Sequence, residues 1–106
     1  MHKLVVMHSP PLESRKLMDY YEQNHLRKVR ELPGLISAEY GRNDDPDEPH
    51  FVILTAFFSD KPSLDQALRS DVGMWLAKDI PNFSPDRVKM MSCFTSQLRL
   101  GQSKQS

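Results

Sequence analysis

The sequence predicts an α+β fold of the split βαβ, ferredoxin-like type, and three observations lead there. Two stretches carry apolar residues at intervals of three and four, the period of a helix buried along one face. Four shorter runs are rich in β-branched and aromatic residues, as strands are. Breaks bearing Pro, Gly and Asp separate them in the order strand, helix, strand, strand, helix, strand. That order lays two helices on one face of a four-stranded antiparallel sheet and leaves the other face uncovered. A length of 106 residues suits one core, so residues 1–100 are expected to form a single domain. The polar residues 101–106 ("GQSKQS") are expected to be a disordered tail.

The first strand is "HKLVVMH", residues 2–8, which ends at the "SPP" breaker. The first helix follows from Pro11 to about Leu32, with Pro11 suited to a first turn where a missing N–H costs nothing. Met18, Tyr21, His25, Val29 and Leu32 share one face of it, so an imidazole interrupts a stripe of carbon. Pro33 and Gly34 stop the helix, and "LISAEYG", residues 35–41, supplies the second strand. The turn-rich "GRNDDPDEP" leads into the third strand, residues 50–58. Its cluster Asp44, Asp45, Asp47 and Glu48 lacks the glycine and final glutamate of a calcium loop and reads as a solvated turn. The second helix begins near "KPSLDQALRSD" with Ser63 as the expected N-cap, and Leu64, Leu68, Val72, Trp75 and Leu76 keep helical spacing along it. Asp79 lies four residues after Trp75. "IPNFSPD" ends the pattern, and residues 87–98 form the fourth strand.

Strand three decides the quaternary expectation. Phe51, Ile53 and Phe57 alternate with Val52, Leu54, Ala56 and Phe58, so both of its faces are apolar. Leaving the uncovered face in water forgoes roughly 1.5–3 kcal/mol for each large side chain that burial would recover. A second copy of the same sheet is the simplest cover, which predicts a homodimer through the open sheet face.

Composition excludes several functions. Lys plus Arg and Asp plus Glu both total 14, for a formal net charge of zero, so no basic stripe is available to follow nucleic acid. No apolar run is long enough to span a membrane or act as an export signal, and the expected location is cytoplasmic. The single cysteine, Cys93, has no internal disulfide partner and reads as a small core residue in a reducing compartment. His2, His8 and His50 fall in no metal-ligand spacing, and no GxGxxG, Walker A or GxSxG stretch is present, so no metal or nucleotide cofactor is expected.

His25 and Asp79 are the candidate catalytic pair. Each interrupts an apolar helix face, and both could enter the space between helices and sheet. There a carboxylate would orient the imidazole and strengthen it as a base. Tyr20, Tyr21, Tyr40, Trp75 and Phe83 are the candidate lining of a pocket for an aromatic or polyketide-like ligand. The alternative is structural: His25 and Asp79 cap backbone groups, and the aromatic side chains are simply core.

"DYYEQNHLRKVRELPGL", residues 19–35, resembles a signature of the EthD family, a tyrosine- or tryptophan-rich helix with a histidine about eight residues before an "LPGL" stop. "WLAKDIPNF", residues 75–83, resembles that family's second signature, an aspartate followed by a short "pNF" turn. The resemblance implies a dimeric α+β barrel, with His25 carried over from the first motif and Asp79 and Phe83 from the second. Family members are associated with degradation of ethyl tert-butyl ether in bacteria, and fungal relatives with decarboxylation or dehydration of polyketides. Many carry only a generic oxidoreductase label. Related barrels that degrade haem pair an asparagine on strand one with a histidine near helix two. This chain has Met7 and no histidine after Trp75, which argues against that activity.

The expected function is therefore a small enzyme acting without metal or nucleotide on an apolar or aromatic carbonyl compound, with His25 as general acid or base. The other reading is a non-catalytic protein that carries a small ligand in the same cavity.

Overall fold

Strict alternation builds the sheet. In a computed structural model describing residues 1–8, 15–45, 52–84, 88–99 and 101, strands β1 (His2–His8) and β3 (Val52–Phe58) bury every second residue, while the residues between stay half-buried. These two strands are central. Strand β2 (Ser37–Arg42) joins the far side of β3 and β4 (Val88–Phe94) the far side of β1, giving the antiparallel order β2-β3-β1-β4. The register pairs Val6 with Leu54 and Met90, and Val5 with Thr55 and Met91. Leu4, Val6, Leu54, Ala56 and Phe58 thus face the helices. Val5, Met7, Ile53, Phe57 and Met91 face away, on the side that no helix covers.

The first helical stretch consists of α1 (Arg15–Tyr20), a π turn (Tyr21–His25) and α2 (Leu26–Val29) in unbroken succession. The expected start at Pro11 lies outside the described residues. All five residues of the anticipated stripe, Met18, Tyr21, His25, Val29 and Leu32, are buried. After Pro33 the chain reverses through Gly34, whose φ of +77° lies in the left-handed region that a side chain disfavours. The Ile36 N–H then donates to the Phe57 carbonyl at 2.9 Å and starts the β2–β3 pairing.

The second helical region differs from expectation. It is two helices, α3 (Lys61–Arg69) and α4 (Asp71–Asp79), with a break at Ser70. Ser70 leaves helical geometry (ψ 165°), and its hydroxyl accepts from the Gly73 N–H at 3.1 Å, which caps α4 as a new helix. Gly73 makes the corner possible: a Cβ there would lie 2.3 Å from the Ala67 carbonyl oxygen. The cap of α3 is Asp60, whose carboxylate accepts from the Ser63 N–H at 2.8 Å, rather than Ser63 itself. The Ser63 hydroxyl, and after it this N–H, hold the Asp60 carboxyl below its ordinary pKa.

The break re-phases the helix, so the buried residues are Leu64, Ala67, Gly73, Leu76 and Asp79 rather than the uniform stripe predicted. Leu68 and Trp75 point to solvent. Cys93 is also exposed rather than core, because its place opposite Lys3 puts it on the uncovered face. No described helix is long and apolar enough to cross a membrane.

Candidate functional site

The two halves of the helix-covered core differ in chemistry. One is hydrocarbon: Leu4, Val6, Val29, Leu32, Leu54, Ala56, Phe58, Leu64, Ala67 and Leu76 form a continuous cluster. The other gathers Met18, Tyr21, Val52 and Phe83, and among the aromatic rings it holds the buried polar residues His8 and His25, with Asp79 bonded to His25.

His25 and Asp79 meet across 54 residues of chain. The Nδ1 of His25 lies 2.9 Å from Oδ2 of Asp79, and both side chains are buried. Two local features aim them. The π turn widens the helix at Tyr21–His25, with the Leu26 N–H bonded back to the Tyr21 carbonyl, a distortion that often accompanies a functional site. At the other partner, Pro81 tightens the end of α4 into a 3₁₀ turn (Ile80–Asn82). Residues three apart eclipse in such a turn. Asn82 Nδ2 therefore reaches back to donate to Asp79 Oδ1 at 3.0 Å, and Phe83 enters the core.

The Tyr20 hydroxyl donates to the same oxygen at 2.5 Å, within the range of a charge-assisted O–H···O⁻ bond. Burial pushes the Asp79 carboxyl up, but the bonds from Tyr20, Asn82 and His25 outweigh it and hold the pKa below the ordinary value. The bond to Asp79 in turn raises the Tyr20 hydroxyl. Burial dominates at His25 and lowers its pKa despite the carboxylate. The pair at neutral pH is thus a carboxylate and a neutral imidazole. An ionised carboxylate only accepts, so Nδ1 carries the proton and Nε2 keeps its lone pair.

His25 also lines a partly open pocket of about 80 Å³ with Val6, Leu54, Leu76, Ile80 and Met90 among its walls. The cavity is almost wholly apolar apart from the imidazole. A larger open groove of about 580 Å³ runs between the first helical stretch and β2, past Glu22, Leu26, Arg27, Arg30, Ile36 and Tyr40. It contains neither His25 nor Asp79.

The other expected site residues are not all brought together. Tyr20 bonds to Asp79, Tyr21 stacks on His25 at 5.5 Å between ring centroids, and Phe83 packs edge-on against His25 at 4.6 Å. Tyr40 lines the groove, where its hydroxyl donates to Glu22 at 2.8 Å, and touches the aromatic group only through an edge contact with Tyr21 at 6.0 Å. Trp75 is 40% exposed, with the Lys28 ammonium 5.6 Å from its ring, because the corner at Ser70 turns that face of α4 outward. Sequence reasoning missed His8. It is fully buried beside Tyr21, Phe83 and His25, at 5.4, 5.1 and 6.1 Å between centroids. Its parity with Leu4 and Val6 was the available signal. Among the described residues no three His, Cys, Asp or Glu side chains are grouped to hold a metal, and His50 lies outside that set.

No family model and no curated protein matches the sequence. Solved structures do. An ethyl tert-butyl ether degradation (EthD) family protein from Bacillus halodurans C-125 superimposes with a TM-score of 0.80 over 91% of this chain and 99% of its own, at 25% identity. The chain resembles an EthD family protein. The EthD likeness extends from sequence motifs to the whole fold, and other solved structures share that fold. A dimeric ferredoxin-like protein of unknown function from Jannaschia sp. CCS1 covers 89% of this chain and 98% of its own at 20% identity, with a TM-score of 0.70. A protein described as an antibiotic biosynthesis monooxygenase covers 92% of this chain and 100% of its own at 13% identity, with a TM-score of 0.66.

Proposed function

We propose that this EthD-like protein acts on a small apolar or aromatic carbonyl compound bound between helices and sheet, with His25 as the group that moves a proton. The observation that carries the reading is the buried 2.9 Å contact between His25 Nδ1 and Asp79 on the wall of an apolar cavity. Asp79 fixes the tautomer that leaves Nε2 basic, and it balances the imidazolium formed when Nε2 takes a proton from carbon next to a carbonyl. Tyr20 and Asn82 keep Asp79 ionised, and Tyr21 and Phe83 hold the ring. Isomerisation follows when the imidazolium returns that proton to another carbon, and dehydration when it protonates the departing β-hydroxyl as water; in decarboxylation the imidazolium instead delivers its proton to the enolate carbon left after CO2 departs. Replacing His25 with Ala or Gln tests it: turnover should fall by about 100-fold or more, and a loss under tenfold overturns the role.

The apolar lining of the cavity also fits a protein that only carries its ligand. NMR titration of His25 separates the two. An imidazole whose protonation and shift stay unchanged when ligand enters belongs to a carrier.

Pairing through the uncovered sheet face completes the proposal. Val5, Met7, Ile53, Phe57 and Met91 lie together there, Met91 at 44% exposure, and a contiguous apolar surface of this kind marks an association site. The dimeric Jannaschia protein of the same fold supports a C2 arrangement. A charge at its centre, Val5→Lys, should convert a dimer to a monomer by sedimentation.

A further inference from the structure

We propose that His8 and Tyr21 form a buried oxygen-binding site beside the His25–Asp79 pair, which takes one neutral oxygen able both to donate and to accept a hydrogen bond. Both side chains are fully buried, yet neither His8 Nδ1, nor His8 Nε2, nor the Tyr21 hydroxyl has a hydrogen-bond partner among the described residues. Buried polar atoms are seldom left unpaired, because nothing returns the hydrogen bonds they surrender with water. Here three such atoms sit on two side chains in ring contact, at 5.4 Å between centroids, walled by Phe83 and by the His25 ring.

A fold that needed only packing would place Leu and Phe at these positions. The helix also adopts its π turn at this point, which positions Tyr21 and His25 with their rings stacked at 15°.

The chemistry of the groups selects the guest. Burial first, and then the neighbouring His25, lowers the His8 pKa to about 4, so the imidazole is neutral with one N–H and one bare nitrogen. Burial raises the Tyr21 pKa, so its hydroxyl stays protonated and able to donate. Among the described residues no Lys or Arg acts on His8 or Tyr21, which disfavours a carboxylate or phosphate. A hydroxyl oxygen fits: it donates to the bare His8 nitrogen and accepts from Tyr21. The remaining His8 N–H is left among rings in edge contact.

That oxygen comes from an internal water or from a hydroxyl, phenol or enol on the ligand. The second source rests on the reading of the neighbouring cavity as the ligand site, and it would fix the polar end of the compound.

The test uses water and phenol as probes, with toluene as the isostere that lacks the oxygen. A high-resolution crystal structure of the unliganded protein should show an ordered water bonded to His8 and Tyr21. Phenol should displace it, bind at least tenfold more tightly than toluene by NMR titration, and lose that preference in His8→Leu and Tyr21→Phe. His2→Leu, at the other end of β1, should leave the preference intact. Water present but not displaced assigns the site to an internal water alone, which upholds the oxygen site and removes the ligand source. No water and no phenol preference overturns the proposal, as does a structure in which His8 and Tyr21 bond to protein atoms. The water and the phenol preference are read with His25 intact, and the turnover of His25→Gln is read on its own, so failure of the proton-transfer role is distinguished from failure of this site.

Discussion

The hydrocarbon and aromatic halves of the core sit under the same helices and on the same sheet, yet they answer to different demands. In the first, Phe58, Leu64 and Ala67 are buried against carbon and simply recover the hydrophobic free energy that holds the fold. In the second, rings enclose a carboxylate, two imidazoles and a phenol, groups whose burial is unfavourable unless something else is gained. Stability is concentrated in the first half, and the proton transfer proposed above lies in the second. Proteins often separate the two in this way, since a site built for reaction is rarely built for stability.

Substitutions should bring that contrast out. The largest effect belongs to the hydrocarbon half: Phe58→Ala should cost about 3–5 kcal/mol in urea denaturation, whereas a comparable loss of unfolding free energy on removing a polar group of the aromatic half would erase the distinction. Next comes pH. The folded-state pKa of His8 is depressed to about 4 from 6.5, so between these values the unfolded chain binds the extra proton. Stability should be fully present above about pH 6.5 and fall as pH drops toward 4, by roughly 3 kcal/mol from this residue alone. His8→Leu should flatten that part of the stability profile. Asp79, with its pKa held below the ordinary value, adds a separate loss at lower pH, as acid falls through its folded-state pKa.

His25→Gln should then reduce turnover by about 100-fold, equivalent to about 2.7 kcal/mol of barrier, and cost about 1 kcal/mol of stability through its lost bond to Asp79. The smallest effect is that of Tyr20→Phe. It removes one of three bonds to Asp79, should raise the carboxyl pKa by carbon-13 NMR, and should cost about 1 kcal/mol of stability. A Tyr20→Phe chain with an unmoved Asp79 titration would mean that His25 and Asn82 alone fix the carboxylate.

What the sequence revealed and what it hid follow the same physics. Period-two and period-three-to-four patterns report burial, so β1, β3 and the stripe from Met18 to Leu32 were legible, and so was the intrusion of His25 and Asp79 into apolar faces. Periodicity cannot see a change of phase caused by one hydroxyl. Ser70 ends one helix and caps the next, and that corner carries Trp75 out of the site while keeping Asp79 in it. The sequence singled out His8 only to find no metal-ligand spacing around it, and its place at a strand end gave no sign of the rings it meets. Only the register with Val52 and the helix lying above place it inside. The cap at Asp60 outcompeted Ser63 by reaching forward three residues, a choice between two good capping residues that sequence alone leaves open.

The wide turn at Tyr21–His25 has a bearing on how this chain can change over time. Each residue added to or removed from a helix rotates everything beyond it by ~100°. Shortening that turn by one residue would swing the imidazole out of reach of its carboxylate while leaving composition almost untouched. Spacing within that loop of helix is thus under tighter constraint than most of the amino acids that fill it: Gln23, on the outside, is free to be replaced but not to be deleted.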